Sequence, residues 1–255
     1  MLRQDLATIL DGIFHKSLQL DFDNSGYNIS LGGEVDGVYI TLDATLDAIK
    51  KCKDNGCNFL ITHHPIIFRP LDNIDDGYVS EVVVEAIRQD VAVYSAHTNV
   101  DVMAGGLNDE LATLLGLEDI EVLDEVEGGR IGRIKATTVR QFAKHIKSVI
   151  GDMHIKTVLA DKPISKVLLI NGAGGSSAIR LGIDRGVDAV VTCEVKYNMA
   201  LECLGKGVGV IELGHYESER PFIKLAERII LEALDTNIKI VTDEDYLTPY
   251  DKENI

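Results

Sequence analysis

At 255 residues, with 25 basic and 41 acidic side chains, the chain carries a formal net charge of −16. That balance disfavours broad electrostatic binding to nucleic acid or an anionic membrane, and no stretch approaches the ~20 apolar residues of a membrane span. The length suffices for one large α/β domain or two of ordinary size, and four cysteines without zinc-ribbon spacing or scaffold density are expected to be reduced, buried thiols of a cytoplasmic protein.

Leu2, Leu6, Ile9, Leu10, Ile13 and Phe14 recur at helical spacing. The chain therefore opens on an amphipathic helix, with no signal-peptide character. Residues 35–42 read as a strand, 45–53 as a helix, and the apolar run 58–62 as a buried strand. The alternation continues with a helix at 82–89, a strand at 91–96 and a helix at 106–115. After a strand at 130–136 come a helix at 139–150, strands at 155–159 and 167–170, and a helix near 177–185. Strands at 188–192 and 208–213 flank a helix near 197–205, and a long helix from about 219 to 234 precedes a last strand, 239–242. This rhythm predicts an α/β fold with largely covered sheets.

A duplication is visible within the chain. Ala48, Ile49, Asp54, Gly56 and Thr62 match Ala178, Ile179, Asp184, Gly186 and Thr192 at a constant offset, each set reading helix, glycine turn, buried strand. Two similar α/β halves are therefore expected, residues 1–125 and 126–255, with a metal cleft between them and a last helix and strand able to cross back to the first half.

Ligand-type residues stand where strands end. His63 and His64 follow the apolar run 58–62, and Pro65 holds His64 extended, so both imidazoles are expected past the strand's end and facing one cleft. The later strands lead into His97-x3-Asp101 and His215-x3-Glu219. Ser218 can cap the helix expected from about Glu219, with Pro221 in its first turn, which places His215 before that helix and requires a turn at Gly214. His15, His145 and His154 sit in ordinary amphipathic segments and read as structural. Imidazole and carboxylate without thiolate suit Zn²⁺, Fe²⁺ or Mn²⁺. His63, His64, Asp101, His215 and Glu219 exceed the three protein ligands usual for one catalytic zinc, so two divalent ions about 3.5–4 Å apart are the natural fit, which is hydrolytic equipment. His97 is read as an orienting or proton-transfer residue, with direct ligation left open. Gly172-Ala173-Gly174-Gly175 opens a helix after a strand and offers an anion site, but departs from the dinucleotide and Walker patterns.

These motifs, with Asp23-Asn24-Ser25-Gly26, Gly105-Gly106-Leu107-Asn108-Asp109 and Glu194-Val195-Lys196-Tyr197, resemble the NIF-three-like family, also called the GTP cyclohydrolase I type 2 family. The resemblance runs through almost the whole chain. It implies a dinuclear metal centre on the same five residues, two similar halves and a ring-shaped homohexamer. One position departs: Asn198 stands where the family commonly has histidine after the lysine-aromatic pair. The reading that follows is a cytoplasmic metal-dependent hydrolase of GTP or another nucleotide, with His97 and Glu219 as catalytic residues and guanine ring opening with formate release as the specific reaction. The alternative is a non-catalytic metal-binding ring or metal chaperone that recruits partners.

Overall fold

Runs of four or five buried residues such as Phe59-Leu60-Ile61-Thr62 have no polar face to turn to solvent, and a strand of that kind is stable only with both faces covered, as in a parallel sheet under helices. The computed structural model, which describes residues 1–123, 128–151, 153–234 and 237–243, builds two such sheets. In chain order the elements are α1 (Arg3–Ile13), β1 (Gly26–Ile29), β2 (Gly37–Ile40), α2 (Leu46–Asp54), β3 (Phe59–Thr62), α3 (Tyr78–Arg88), β4 (Ala92–Ser95), α4 (Thr98–Val102), α5 (Leu107–Leu114), β5 (Glu118–Leu123) and β6 (Gly129–Thr138). They continue with α6 (Val139–Ile150), β7 (Lys156–Val158), β8 (Pro163–Leu169), α7 (Gly175–Asp184), β9 (Ala189–Cys193), α8 (Tyr197–Lys206), β10 (Gly209–Leu213), α9 (His215–Glu219), α10 (Phe222–Ala233) and β11 (Lys239–Thr242).

The chain forms two compact units, Met1–Val100 joined by the segment that begins at Phe222, and Asp101–Pro221. These breaks differ from the expected halves. Residues 101–123 belong with the second unit, and the expected border between residues 125 and 126 lies outside the described residues.

Among the described residues, the first unit holds a five-stranded sheet in the order β1-β4-β3-β2-β11. β2, β3 and β4 run parallel, linked through α2 and α3, and β11 adds in parallel to β2 while β1 closes the other edge antiparallel to β4. Thr45 starts α2 by accepting a hydrogen bond from the Ala48 amide at 3.0 Å, the expected role of a β-hydroxyl at an N-cap. Ile49 and Cys52 of α2, Val82 and Ala86 of α3, and Leu60 and Val93 of the sheet meet in one core cluster. Each large side chain sealed there contributes roughly 1.5–3 kcal/mol of transfer free energy.

The second unit repeats the theme. Its sheet runs β5-β6-β8-β9-β10-β7 among the described residues, with β8, β9 and β10 parallel and linked through α7 and α8. Antiparallel strands lie outside that trio, β7 on β10 and β6 on β8. Three parallel strands joined by two helices are thus common to both units, which is the structural content of the offset matches. β1 and β5 were not expected from the sequence. β5 carries five exposed residues in succession, so it lacks the hydrophobic alternation by which strands are recognised. All four cysteines are free and buried, and no described helix is long and apolar enough to cross a membrane.

Candidate metal centre

β3 ends at Thr62, and the next two residues are pinned by one carbonyl: the amides of His63 and His64 both donate to Leu42 O, at 3.0 and 3.2 Å. Sharing that acceptor takes the pair out of the strand's alternation, so consecutive imidazoles need not splay to opposite faces. Their ring centroids are 5.0 Å apart. The ring of His97, just past β4, lies 5.2 Å from His63 and 5.4 Å from His64. One ligand atom from each of these three imidazoles falls within 4.8 Å of the others. His97, expected as an auxiliary residue, is a full member of this cluster.

Each ring is held by its Nδ1. His63 Nδ1 faces the Ala96 carbonyl at 2.8 Å. His64 Nδ1 faces Asp43 Oδ1 and His97 Nδ1 faces Asp23 Oδ1, both at 2.7 Å. An acceptor on Nδ1 fixes the tautomer and leaves the Nε2 lone pair outward, the arrangement by which proteins prepare imidazoles for metal. Asp23 is itself buried. Burial alone would raise its carboxyl, but hydrogen bonds from His97, Thr98 and Ser25 overcome that and hold it far below the usual carboxylate range. Ser25 Oγ also lies 2.8 Å from Asn99 Oδ1, an alternative acceptor for its one proton, and Asn99 donates to Phe14 O at 2.7 Å. The Asp23 to Ser25 segment thereby ties the His97 loop to the body of the unit.

In the second unit the expectation for His215 is corrected. His215 does not precede a helix: it begins α9, a single turn running His215–Glu219, and α10 starts separately at Phe222. Gly214 is the extended N-cap of α9, Ser218 donates to His215 O rather than capping α10, and Pro221, lacking an N–H, stands at the break. Residues four apart on α9 therefore share a face, and His215 Nε2 sits 2.9 Å from Glu219 Oε1. On its other side His215 Nδ1 faces Glu194 Oε1 at 2.8 Å. Both ring nitrogens thus confront carboxylates. A neutral imidazole has a single N–H to give, and His215 and the buried Glu219 carboxylate are among the groups that could hold a metal ion. Glu194 is held at φ +53°, a left-handed conformation uncommon for a non-glycine residue.

The glycine-rich loop closes in on the same group. At Gly172, φ +59°, an added Cβ would stand 2.5 Å from Glu219 Oε1 and 3.7 Å from His215 Nε2. Glycine is required there by the approach of a carboxylate, and that approach argues against a phosphate cradle at Gly172. The neighbouring Asn171 donates from Nδ2 to Asp101 Oδ1 at 3.2 Å, while Asn108 donates to the Asp101 carbonyl at 3.1 Å. The Asn171-Gly172 dipeptide therefore serves both Asp101 and Glu219. Within its own unit, then, the structure gathers His63, His64 and His97, and in the other His215 and Glu219 with Asp101 anchored to the residue beside Gly172.

The sequence reading quoted Asp23 and Glu194 within motifs but gave neither a role, and it did not single out Asp43 or Asn171. A signal existed: Asp43 lies just past β2 and His64 just past the adjacent β3, and Glu194 just past β9 with His215 just past the adjacent β10. Acid and imidazole thus stand on neighbouring parallel strand ends in both units.

Residues 1–246 match the family model described as Duf34/NIF3 (NGG1p interacting factor 3). The chain belongs to the Duf34/NIF3 family. A Lactococcus lactis protein named "GTP cyclohydrolase 1 type 2 homolog" is 32% identical over 243 residues, covering 92% of this chain and 93% of the relative. A Helicobacter pylori protein named "GTP cyclohydrolase 1 type 2" is 30% identical over 251 residues, covering 96% and 97%. The crystal structure of a Bacillus cereus protein related to NIF3 superposes with a TM-score of 0.89 at 22% identity, covering 98% of each chain. The Duf34/NIF3 fold is therefore shown along nearly the whole chain, and among the described residues His63, His64, His97, His215 and Glu219 fall in groups that could hold a metal ion.

Proposed function

We propose that this Duf34/NIF3 protein is a metal-dependent hydrolase of a nucleotide-like substrate, with His63, His64, Asp101, His215 and Glu219 as ligands of two divalent ions, Zn²⁺, Fe²⁺ or Mn²⁺. The observation that carries the metal assignment is the common posture of the imidazoles, each with Nδ1 against a carboxylate or carbonyl. The donor chemistry fits, being nitrogen and oxygen throughout; the buried Cys193 is engaged with Ser218 at 3.1 Å and supplies no donor to the set. Divalent ions held there would polarise a substrate oxygen and bring the pKa of water toward neutrality.

The chain's own residues supply the rest. Asp43 and Glu194 fix which nitrogens of His64 and His215 face outward. Asp23 keeps His97 oriented so that Nε2 is the atom able to take or give a proton beside His63 and His64. Asn171 holds one oxygen of Asp101 in place through its Nδ2 donor. The nucleotide assignment rests on the names of the relatives, and GTP ring opening with loss of formate is the specific reaction we propose. We extend the proposal to a cytoplasmic homohexamer on the strength of the family resemblance, to be tested by light scattering.

The experiment is metal analysis of gently purified protein together with a formate assay on GTP and a panel of nucleotides. Glu219→Ala is expected to lose metal and turnover together. Retained stoichiometry with full activity in that variant overturns the ligand assignment, and tight metal without turnover on any nucleotide moves the reading to a metal-binding assembly.

A further inference from the structure

Between Gly128 and Gly151 this acidic chain carries six basic residues, Arg130, Arg133, Lys135, Arg140, Lys144 and Lys147, and no acidic one. In a protein of net charge −16 that segment is an electrostatic inversion, and it folds into β6 and α6 of the second unit. Arg130 is paired with Asp109 and Arg140 with Asp161. Arg133 stands opposite Glu118 in the β5–β6 register. Lys135 forms no ion pair among the described residues.

Lys135 lies where β6 leaves its ladder. Arg133 pairs with Lys166 of β8 and Thr137 with Ile164, so four steps along β6 span two along β8, and residues 134–136 bulge. A bulge re-aims side chains and often borders a binding site. Here it forms one wall of a cavity of about 400 Å³, within the range of small-molecule sites. Leu115, Ile134 and Phe142 make the apolar lining, and Lys135, Gln141 and His145 bring polar groups to it. Phe142 and His145 are stacked, with centroids 6.0 Å apart and planes 22° from parallel. Thr137 donates to Gln141 Oε1 at 2.9 Å, which leaves the Gln141 amide Nε2 as a donor. None of these residues belongs to the proposed metal ligands.

We propose that this cavity binds a small planar aromatic anion, whose ring extends the Phe142–His145 stack and whose carboxylate or phosphate oxygens meet Lys135 and the Gln141 amide. The stack selects flat rings because offset face-to-face packing needs a π-surface. The ammonium selects negative charge, which the rest of the acidic surface repels.

The test is a titration of the full chain, with EDTA present to empty metal sites, followed by amide chemical shifts. Indole-3-acetate probes the carboxylate form and GMP the phosphate form, with 3-methylindole as the uncharged ring and cyclohexylacetate as the non-planar anion. Saturable shifts confined to residues of the bulge and α6 are expected for at least one aromatic anion, and the tighter of the two identifies the head group. Both controls should bind about tenfold more weakly, and Lys135→Gln should lose about tenfold in affinity for the anion, the scale of one charge-assisted hydrogen bond. His145→Ala, a second exposed-site variant, should weaken the aromatic anion while leaving cyclohexylacetate unchanged. Shifts that map elsewhere, equal affinity for wild type and Lys135→Gln, or no saturable binding of either aromatic anion overturn the site.

Discussion

Gly172 and Gly175 form a matched pair of substitutions. Both have positive φ, +59° and +68°, so alanine at either position carries the left-handed penalty of about 1–2 kcal/mol. They differ in what a methyl group meets. At Gly175 nothing lies within 4 Å, whereas at Gly172 the new Cβ would sit 2.5 Å from Glu219 Oε1. Ordinary contact begins near 3.4 Å, so the carboxylate must retreat by about 0.9 Å, the difference of those two distances. Glu219 is 2% exposed and sits 2.9 Å from His215 Nε2. Such a retreat breaks that contact and leaves a buried charge poorly satisfied, an added cost of about 1–3 kcal/mol. Urea unfolding should therefore show Gly175→Ala destabilised by about 1–2 kcal/mol and Gly172→Ala by about 2–5 kcal/mol. Metal titration by calorimetry should show a loss for Gly172→Ala alone. Equal unfolding midpoints and equal metal affinity for the two variants would refute the claim that Gly172 exists to admit the Glu219 carboxylate.

Asp43→Asn and Glu194→Gln should each lower metal affinity about 10–100-fold, with unchanged circular dichroism, because they disturb the tautomer of a ligand and not the ligand itself; competition with a chromophoric chelator reads this directly. Arg130→Met should cost about 3 kcal/mol in urea unfolding, since it strands the Asp109 carboxylate that the buried guanidinium meets at 2.5 Å. Stability should hold from neutral pH to about pH 5 and fall below about pH 4. The sign follows from two carboxylates: burial would raise Asp109 and Asp188, but Arg130 and the Gly105 N–H for the first, and the Lys166 and Ser165 N–H groups for the second, hold them below the usual range. Carboxyls depressed in the folded state stabilise it above their unfolded pKa and lose that contribution as pH falls through the folded one, so a urea midpoint that rises on acidification would contradict the assignment.

Much of the fold was legible because its central strands are short apolar runs and two of its described helices, α2 and α6, start on a side-chain cap. Thr45 before α2 and Thr138 before α6 mark helix starts that the structure keeps, with side chains accepting from Ala48 and Gln141. The edges were harder. β1 and β5 sit at sheet borders, where polar residues are tolerated and periodicity fades. Ser218 and Pro221 together read as the start of one helix with His215 before it, whereas Pro221 separates α9 from α10. The ligand-type residues themselves could be named from their strand-end positions, but the groups that orient them could not. Asp43 is 21 residues from His64 and Glu194 is 21 from His215. Contacts at that separation are made by strand adjacency, which a linear pattern does not express.

The path of the backbone has a consequence for biosynthesis. The second unit is one uninterrupted stretch, whereas the first needs both its opening hundred residues and the segment from Phe222 onward. As the polypeptide leaves the ribosome, β2 keeps a bare hydrogen-bonding flank until Lys239–Thr242 emerges to cover it, and α1 waits for α10, against which it packs. The inserted unit is able to complete its own sheet first. The N-terminal portion therefore matures after it, and His63 acquires Phe222, whose ring lies 4.9 Å away, only once the inserted unit has been made.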